Sequence, residues 1–462
     1  MKNNTWINNK IKHFFNVFDK RSYETFKIVI NWILCLKDWK QWDLANLWET
    51  TLWKIQYFFD KSRWDHKILN KMRIQWIRNK IWWAKDKKSD ILIFDWTVFA
   101  KNKASKFSGL ADYFFSNRDK KVVKWIELFW ASIITKNGLK YILDIEIFSK
   151  IKDKLLIKNK GDSEINSAWM KFITKTIKKT KSWLVVLDSG FKWAKMCKNI
   201  YENCKKHFLV RISANQVFLN QNWEKFKISE LLKKKNAIYF EKGKMWVFKG
   251  VYLQSWNNKW FKILVNIIIF HKNWLKNPSI LATSANIEDI FDNMIRKKWE
   301  KSFEEKLEEN KWKISIENQE KSVYITFVEL YKKRWTIEEC FKELKSYLCF
   351  EKFQVQSQNA IMKYLHIVLL VHTIIYIMLF LLTESHNNFN FVYVFLKEKR
   401  NIKNELNWLK KITFMWIKFF IEMMFQLWWT WKIKWKSEKK LKNIFKNSIC
   451  LKSISFDKIG LN

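Results

Sequence analysis

The sequence predicts an α/β protein: a mixed sheet with flanking helices, interrupted by a β-rich insertion and bounded by helical N- and C-terminal regions. Three observations carry this expectation. Between residues 90 and 150, three strongly apolar segments follow one another with short polar turns between them. Helical and extended patterns then alternate, which is the order expected of a sheet covered by helices. The two ends, residues 1–88 and 386–462, show helical patterning with many lysines and aromatic residues.

The elements follow in order. Runs rich in Val, Ile, Phe and Trp, bounded by turn residues, read as strands: ILIFDWTVFA from Ile91, VVKWIELFWASIIT from Val122 and KYILDIEIF from Lys140. SEINSAWMKFITKTIKK, from Ser163, reads as a helix and LVVLD, from Leu184, as a buried strand. FKWAKMCKNIYENCK then reads as a helix and HFLVRI as a strand. Beyond them AIYFEKGKMWVFKGVYLQSW and FKILVNIIIF are strand-rich, and FDNMIRKKWEKSFEEKLEENK is a charged helical stretch. The expected division is a core in two parts, 89–204 and 323–385, around an inserted subdomain at 205–322.

Candidate chemistry sits at defined points of this scheme. Asp95 and Asp188 each follow a run of apolar residues, and an Asp ending a buried strand projects where open sheets build their sites. Asp is rarely buried unless it is paired or bound to metal. For either residue alone, a strand-ending turn or helix cap is the plain alternative. In LYKKRWTIEECFKELKSYL, Tyr331, Arg334, Glu338 and Lys345 share one face of a single predicted helix. Their spacing puts Arg334, Glu338 and Lys345 at about −60°, −20° and −40° from Tyr331, a stripe roughly 60° wide. A carboxylate there suits a divalent cation, while Arg, Lys and the Tyr hydroxyl suit phosphate oxygens. Ordinary ion pairs along an amphipathic helix are the alternative.

With these residues in place, the chain resembles the DDE transposases of bacterial insertion sequences. The resemblance rests on Asp95 in ILIFDWTVFAK, Asp188 in LVVLDSGF and the block YKKRWTIEECFKELK, which matches the family's Y-x2-R-x3-E-x6-K signature. It covers about residues 90 to 385. It implies a ribonuclease-H-like core in which Asp95, Asp188 and Glu338 are the catalytic residues and hold two Mg²⁺ ions, with Mn²⁺ able to substitute. It implies DNA-binding roles for Tyr331, Arg334 and Lys345. It also implies cleavage and strand transfer at the ends of an insertion sequence. The expected partners are double-stranded DNA (the element's terminal inverted repeats and its target) and a second copy of the chain in a synaptic homodimer. A cytoplasmic, nucleoid-associated location is expected. An inactive relic that only binds DNA is the alternative.

Composition agrees with a polyanionic partner. The formal net charge is +43, from 87 basic and 44 acidic residues, so binding should depend strongly on salt. AT-rich codon usage accounts for the abundance of Lys without removing its charge. Residues 1–88 are therefore expected to bind DNA ends. Six cysteines without a CxxC pair, and seven histidines without ligand spacing, read as reduced thiols in a chain without zinc. The N-terminal MKNNTWINNKIK lacks an apolar signal region. IVLLVHTIIYIMLFLL, residues 367–382, contains His372 and falls short of the roughly 20 residues a bilayer requires, so a buried helix and no membrane partner are expected.

One compositional anomaly bears on every motif. The chain has 30 Trp and 7 Gly, whereas average usage would give roughly 32 Gly at this length. QSWNNKW, HKNWLKN and NQNWEK look like polar turns, with Trp256, Trp274 and Trp223 where positive φ would be favoured. We infer that many of these positions are UGA codons that the source organism reads as Gly. Trp96 and Trp125 belong to the same expectation, and Trp335 is expected to be a true Trp because the signature has Trp there. A Trp-rich protein from an AT-rich genome is the alternative. Which aromatic residue would stack on a flipped base stays open for the same reason.

Overall fold

The computed structural model describes residues 11–35, 51–80 and most of 87–384, with its longest interruptions at 149–163 and 290–314. The charged stretch from Phe291 and the region 386–462 lie outside the described residues. Contacts divide the chain into two compact units, one of Met1–Ile81 with Phe341–Asn462 and the other of Trp82–Cys340. The described α-helices are α1 (Lys20–Cys35), α2 (Leu52–Asp60), α3 (His66–Lys80), α4 (Glu164–Ile177), α5 (Ala194–Lys198), α6 (Ser315–Lys332), α7 (Trp335–Tyr347) and α8 (Gln358–Glu384).

In the first unit, α8 packs on α1, α2 and α3. By length and composition it could cross a membrane, yet 94% of Gln358–Ile377 is buried inside the fold. Its polar groups find protein partners. The Lys363 ammonium donates to the Ser62 carbonyl at 2.6 Å, and Arg73 donates to Thr373 Oγ1 at 3.0 Å. His372 Nε2 meets Glu343 Oε2 at 3.1 Å. These polar groups are spent inside the fold, and none needs a lipid-side arrangement. The helix is longer than the apolar run suggested: it begins nine residues before that run, and Lys363 and His366, which precede it, are themselves buried.

Among the described residues, the second unit is built on one sheet of twelve strands. Its first strands are β1 (Ile91–Ala100), β2 (Asp112–Ser116), β3 (Lys121–Ile134) and β4 (Lys140–Phe148). β3 pairs antiparallel with β1 along one edge and with β2 and β4 along the other. β5 (Leu184–Leu187) then pairs parallel with β1, and β6 (His207–Ile212) parallel with β5. Parallel strands are covered on both faces, which explains their unbroken apolar runs. Ile91–Phe94 and Leu184–Leu187 are all at most 1% exposed. The crossover helix α4 seals one face, its Phe172 ring meeting Phe94 edge-on at 6.0 Å.

Two expectations are corrected here. β2 makes the described opening strands four, not three; DYFFS pairs with the first five residues of β3, at the end that extends past β1. The helix expected from Phe191 is only α5, followed by a π-turn at Asn199–Asn203. The described strands of the segment 205–322 lie in the same sheet. β7 (Phe218–Leu219), β8 (Lys225–Phe226), β9 (Ile238–Phe240), β10 (Gly243–Gln254) and β11 (Lys262–Lys272) join it through β12 (Ser279–Thr283). β12, which periodicity did not reveal, bridges β11 and β6 antiparallel.

Candidate functional site

Strand register places the two aspartates together. Phe94 and Leu187 are the last parallel pair between β1 and β5, so Asp95 and Asp188 come next on neighbouring strands. Asp188 lies past the end of β5, as expected. Asp95 does not end its strand. β1 runs on to Ala100 because β3 keeps pairing with it after β5 has stopped, Asp95 itself facing Trp130. What ends at Asp95 is the parallel partner, and this opens the edge where both carboxylates sit.

The signature segment is also not one helix. α6 ends at Lys332 and α7 begins at Trp335. Through the join the bonds shorten to three-residue spacing: Arg334 N–H donates to Tyr331 O, Thr336 N–H to Lys333 O and Ile337 N–H to Arg334 O, each at 3.0 Å. Thr336 Oγ1 also donates to the Lys333 carbonyl at 2.7 Å, satisfying a helix-end acceptor. The break keeps Tyr331, Arg334 and Glu338 on the aspartate side. The Tyr331 hydroxyl donates to Asp188 Oδ1 at 3.3 Å. Arg334 Nη1 donates to Glu338 Oε1 at 2.7 Å and to Asp95 Oδ2 at 3.3 Å. Its Nε stands 3.6 Å from Asp188 Oδ1, an ion pair too long for a hydrogen bond.

Three carboxylates thus surround one guanidinium. Burial pushes the Asp95 carboxyl up to about 7; the Trp96 N–H and Arg334 oppose that rise, and Asp188 and Glu338 reinforce it. Burial likewise raises the Tyr331 phenol, so it remains a neutral donor. Burial works against the charged form of Arg334, but Tyr331 and the carboxylates more than offset it and hold the cation charged. A single positive charge cannot neutralise three acids, and a donor set of oxygens alone suits hard divalent ions. The donor set of Asp95, Asp188 and Glu338 therefore fits a hard divalent cation.

Of the six residues singled out by sequence, five converge: Asp95, Asp188, Glu338, Tyr331 and Arg334. The ammonium of the sixth, Lys345, pairs with Glu351. Arg211, on β6, was not anticipated. Its charge acts on Tyr331, and its only signal is a single cation between apolar Val210 and Ile212 in HFLVRI. Glu339, beside Glu338, turns away and pairs with Lys140 at 3.2 Å. Glu339→Gln should leave divalent-ion binding at the carboxylate cluster unchanged and change stability by no more than about 1 kcal/mol. Loss of ion binding in Glu339→Gln but not in Glu338→Gln, measured by calorimetry, would show that the wrong glutamate has been assigned to the site.

Against this geometry, a family model described as a transposase DDE domain matches residues 86–374, more than half of the chain. No curated protein sequence matches it.

Proposed function

The chain belongs to the transposase DDE-domain family, and from that premise we propose that it cuts and joins DNA at the ends of an insertion sequence through Asp95, Asp188 and Glu338. The observation that carries this reading is the convergence of three carboxylates, from β1, from the end of β5 and from α7, on Arg334. In this reading the sheet with α4 is a ribonuclease-H-like core, and the strands β7 to β12 are a β-rich elaboration of it. Two bound Mg²⁺ ions would supply an activated water or 3′-hydroxyl and neutralise charge on the attacking and leaving oxygens. The protein then needs no nucleophile of its own. Asp95, Asp188 and Glu338 hold the ions, and Arg334 presents a planar fork to a phosphate, with the Tyr331 hydroxyl as a neutral donor. Partners on this reading are the element's inverted repeats, target DNA and a second copy of the chain in a synaptic dimer. All three site acids are present and gathered, which favours an active enzyme over a relic that only binds DNA.

Incubation of the full-length protein with duplexes from the DNA flanking its gene tests this. Mg²⁺-dependent cleavage at inverted repeats, leaving 3′-hydroxyl ends, is the expected result. Tight binding of those ends without cleavage in Mg²⁺ or Mn²⁺ would leave the DNA-binding relic as the reading. Arg334→Lys keeps the charge but loses the fork, so it should impair cleavage far more than non-specific binding. Lys345→Ala should lower the salt slope of end binding by about one. An unchanged slope would mean that the Glu351 pair holds this cation away from DNA.

A further inference from the structure

Arg334 does more than sit near the carboxylates. Its Nη1 reaches Glu338 at 2.7 Å and Asp95 at 3.3 Å, and its Nε lies 3.6 Å from Asp188. The oxygens Asp95 Oδ2, Glu338 Oε1 and Asp188 Oδ1 are thus engaged by one side chain. They belong to the three carboxylates that, on the reading above, hold the metal. The Arg334 side chain is 13% exposed, so this is a largely desolvated contact in which Coulomb forces are weakly screened. A divalent ion and the guanidinium cannot both occupy the centre of this cluster, because like charges there repel and compete for the same lone pairs.

We propose that Arg334 is a built-in counter-ion that divalent metal must displace, so that metal loading frees the guanidinium to grip a DNA phosphate. The inference rests on the assignment of the carboxylates as the metal site. Arg334 starts on the acids, holding three carboxylates together near neutral pH. When metal takes over their neutralisation, Arg334 turns outward and its fork becomes available to phosphate. The long, flexible side chain allows this without backbone movement. Coupling of this kind is reciprocal: metal strengthens the phosphate contact, and phosphate strengthens metal binding by the same factor. A device like this disfavours a site loaded with metal but lacking DNA, where stray hydrolysis would start.

The test reads binding and not turnover. Ca²⁺, which is expected to bind without supporting cleavage, is titrated calorimetrically into the full-length parent protein, Arg334→Gln, Arg334→Lys and Asp188→Ala. Each titration is run with and without a short 5′-phosphorylated duplex. Arg334→Gln should bind Ca²⁺ about tenfold more tightly than the parent, with Arg334→Lys between the two, because the counter-ion is removed or shortened. The duplex should tighten Ca²⁺ binding in the parent and lose most of that effect in Arg334→Gln. Asp188→Ala should bind Ca²⁺ at least tenfold more weakly. If Asp188→Ala loses Ca²⁺ while neither Arg334 variant gains any, the counter-ion proposal is overturned and the metal site stands. If no variant changes Ca²⁺ affinity, the metal does not bind these carboxylates, and the functional reading falls together with the proposal. Should Arg334→Gln fail to fold, Arg334→Lys decides alone, with an affinity no tighter than the parent's counting against the proposal.

Discussion

Alanine at Asp95, Asp188 or Glu338 should each reduce strand cleavage by about a thousandfold or more, while end binding stays within a few-fold of the parent. The asymmetry follows from where each function resides. Affinity for DNA is spread over an excess of 43 positive charges, so losing one acid scarcely changes it. Cleavage, on the proposed reading, depends on three oxygen donors in one place, and register offers no spare on the two strands that carry the aspartates. Asp95 and Asp188 follow the last parallel pair of β1 and β5, and no other acid lies beside them on those strands. The loss should not come from unfolding. Asp95 is 7% exposed in a cluster of three acids with one cation, and its burial raises its proton affinity. Removing a carboxylate from such a cluster relieves repulsion, so the Ala variants should melt at or above the parent temperature. A variant that keeps robust Mg²⁺-dependent cleavage would strike that residue from the site.

Much of the candidate site is legible in the sequence, and what is not legible has physical causes. Asp95 and Asp188 were visible because parallel strands are apolar throughout, so a carboxylate in such a run stands out. Whether a strand ends at such a residue was not visible, because that depends on the neighbour. β1 continues since β3 still pairs with it, through contacts such as Asp95 with Trp130 that are remote in sequence. The signature spacing put Tyr331, Arg334 and Glu338 on one side, and they converge, but for a different local reason. The spacing implies an unbroken helix, whereas three-residue bonds around Arg334 separate α6 from α7. A short tightened turn leaves the side-chain spacing nearly intact while changing the helix direction, so period alone cannot detect it. β2 and β12 were missed because five residues are too few for a period. Their existence rests on pairing with β3, β6 and β11. That pairing also places the described strands of 205–322 in the same sheet as β1 and β5.

The second large effect concerns which residues the protein contains. Peptide mass spectrometry of the native protein should find Gly at positions 96, 125, 223, 256 and 274, and Trp at 335. The composition motivates this, and the backbone adds an independent reason at one position. Trp223 has φ of +65°, in the left-handed region where a bulky side chain is an outlier and Gly is at ease. It sits in the turn between β7 and β8, its N–H bonded to the Asn220 carbonyl at 3.1 Å. The indole is 54% exposed, stacked on Tyr252 at 4.8 Å with the Lys262 ammonium 3.8 Å from the ring centre. Relief of the left-handed strain, about 1–2 kcal/mol, would be partly offset by losing that stack, about 0.5–1.5 kcal/mol. Stability of Trp223→Gly alone therefore discriminates poorly. Position 96 discriminates better. A Cβ added to Gly190 would lie 2.9 Å from Trp96 Nε1, so Gly190→Ala should destabilise the Trp96 protein. With Gly at 96 that obstacle is gone, and Gly190→Ala should cost little in the same melting experiment. Trp256 and Trp274 lie outside the described residues, so mass alone decides them. Native peptides carrying Trp at all five positions would refute recoding, and the strained φ at 223 would then belong to a genuine tryptophan.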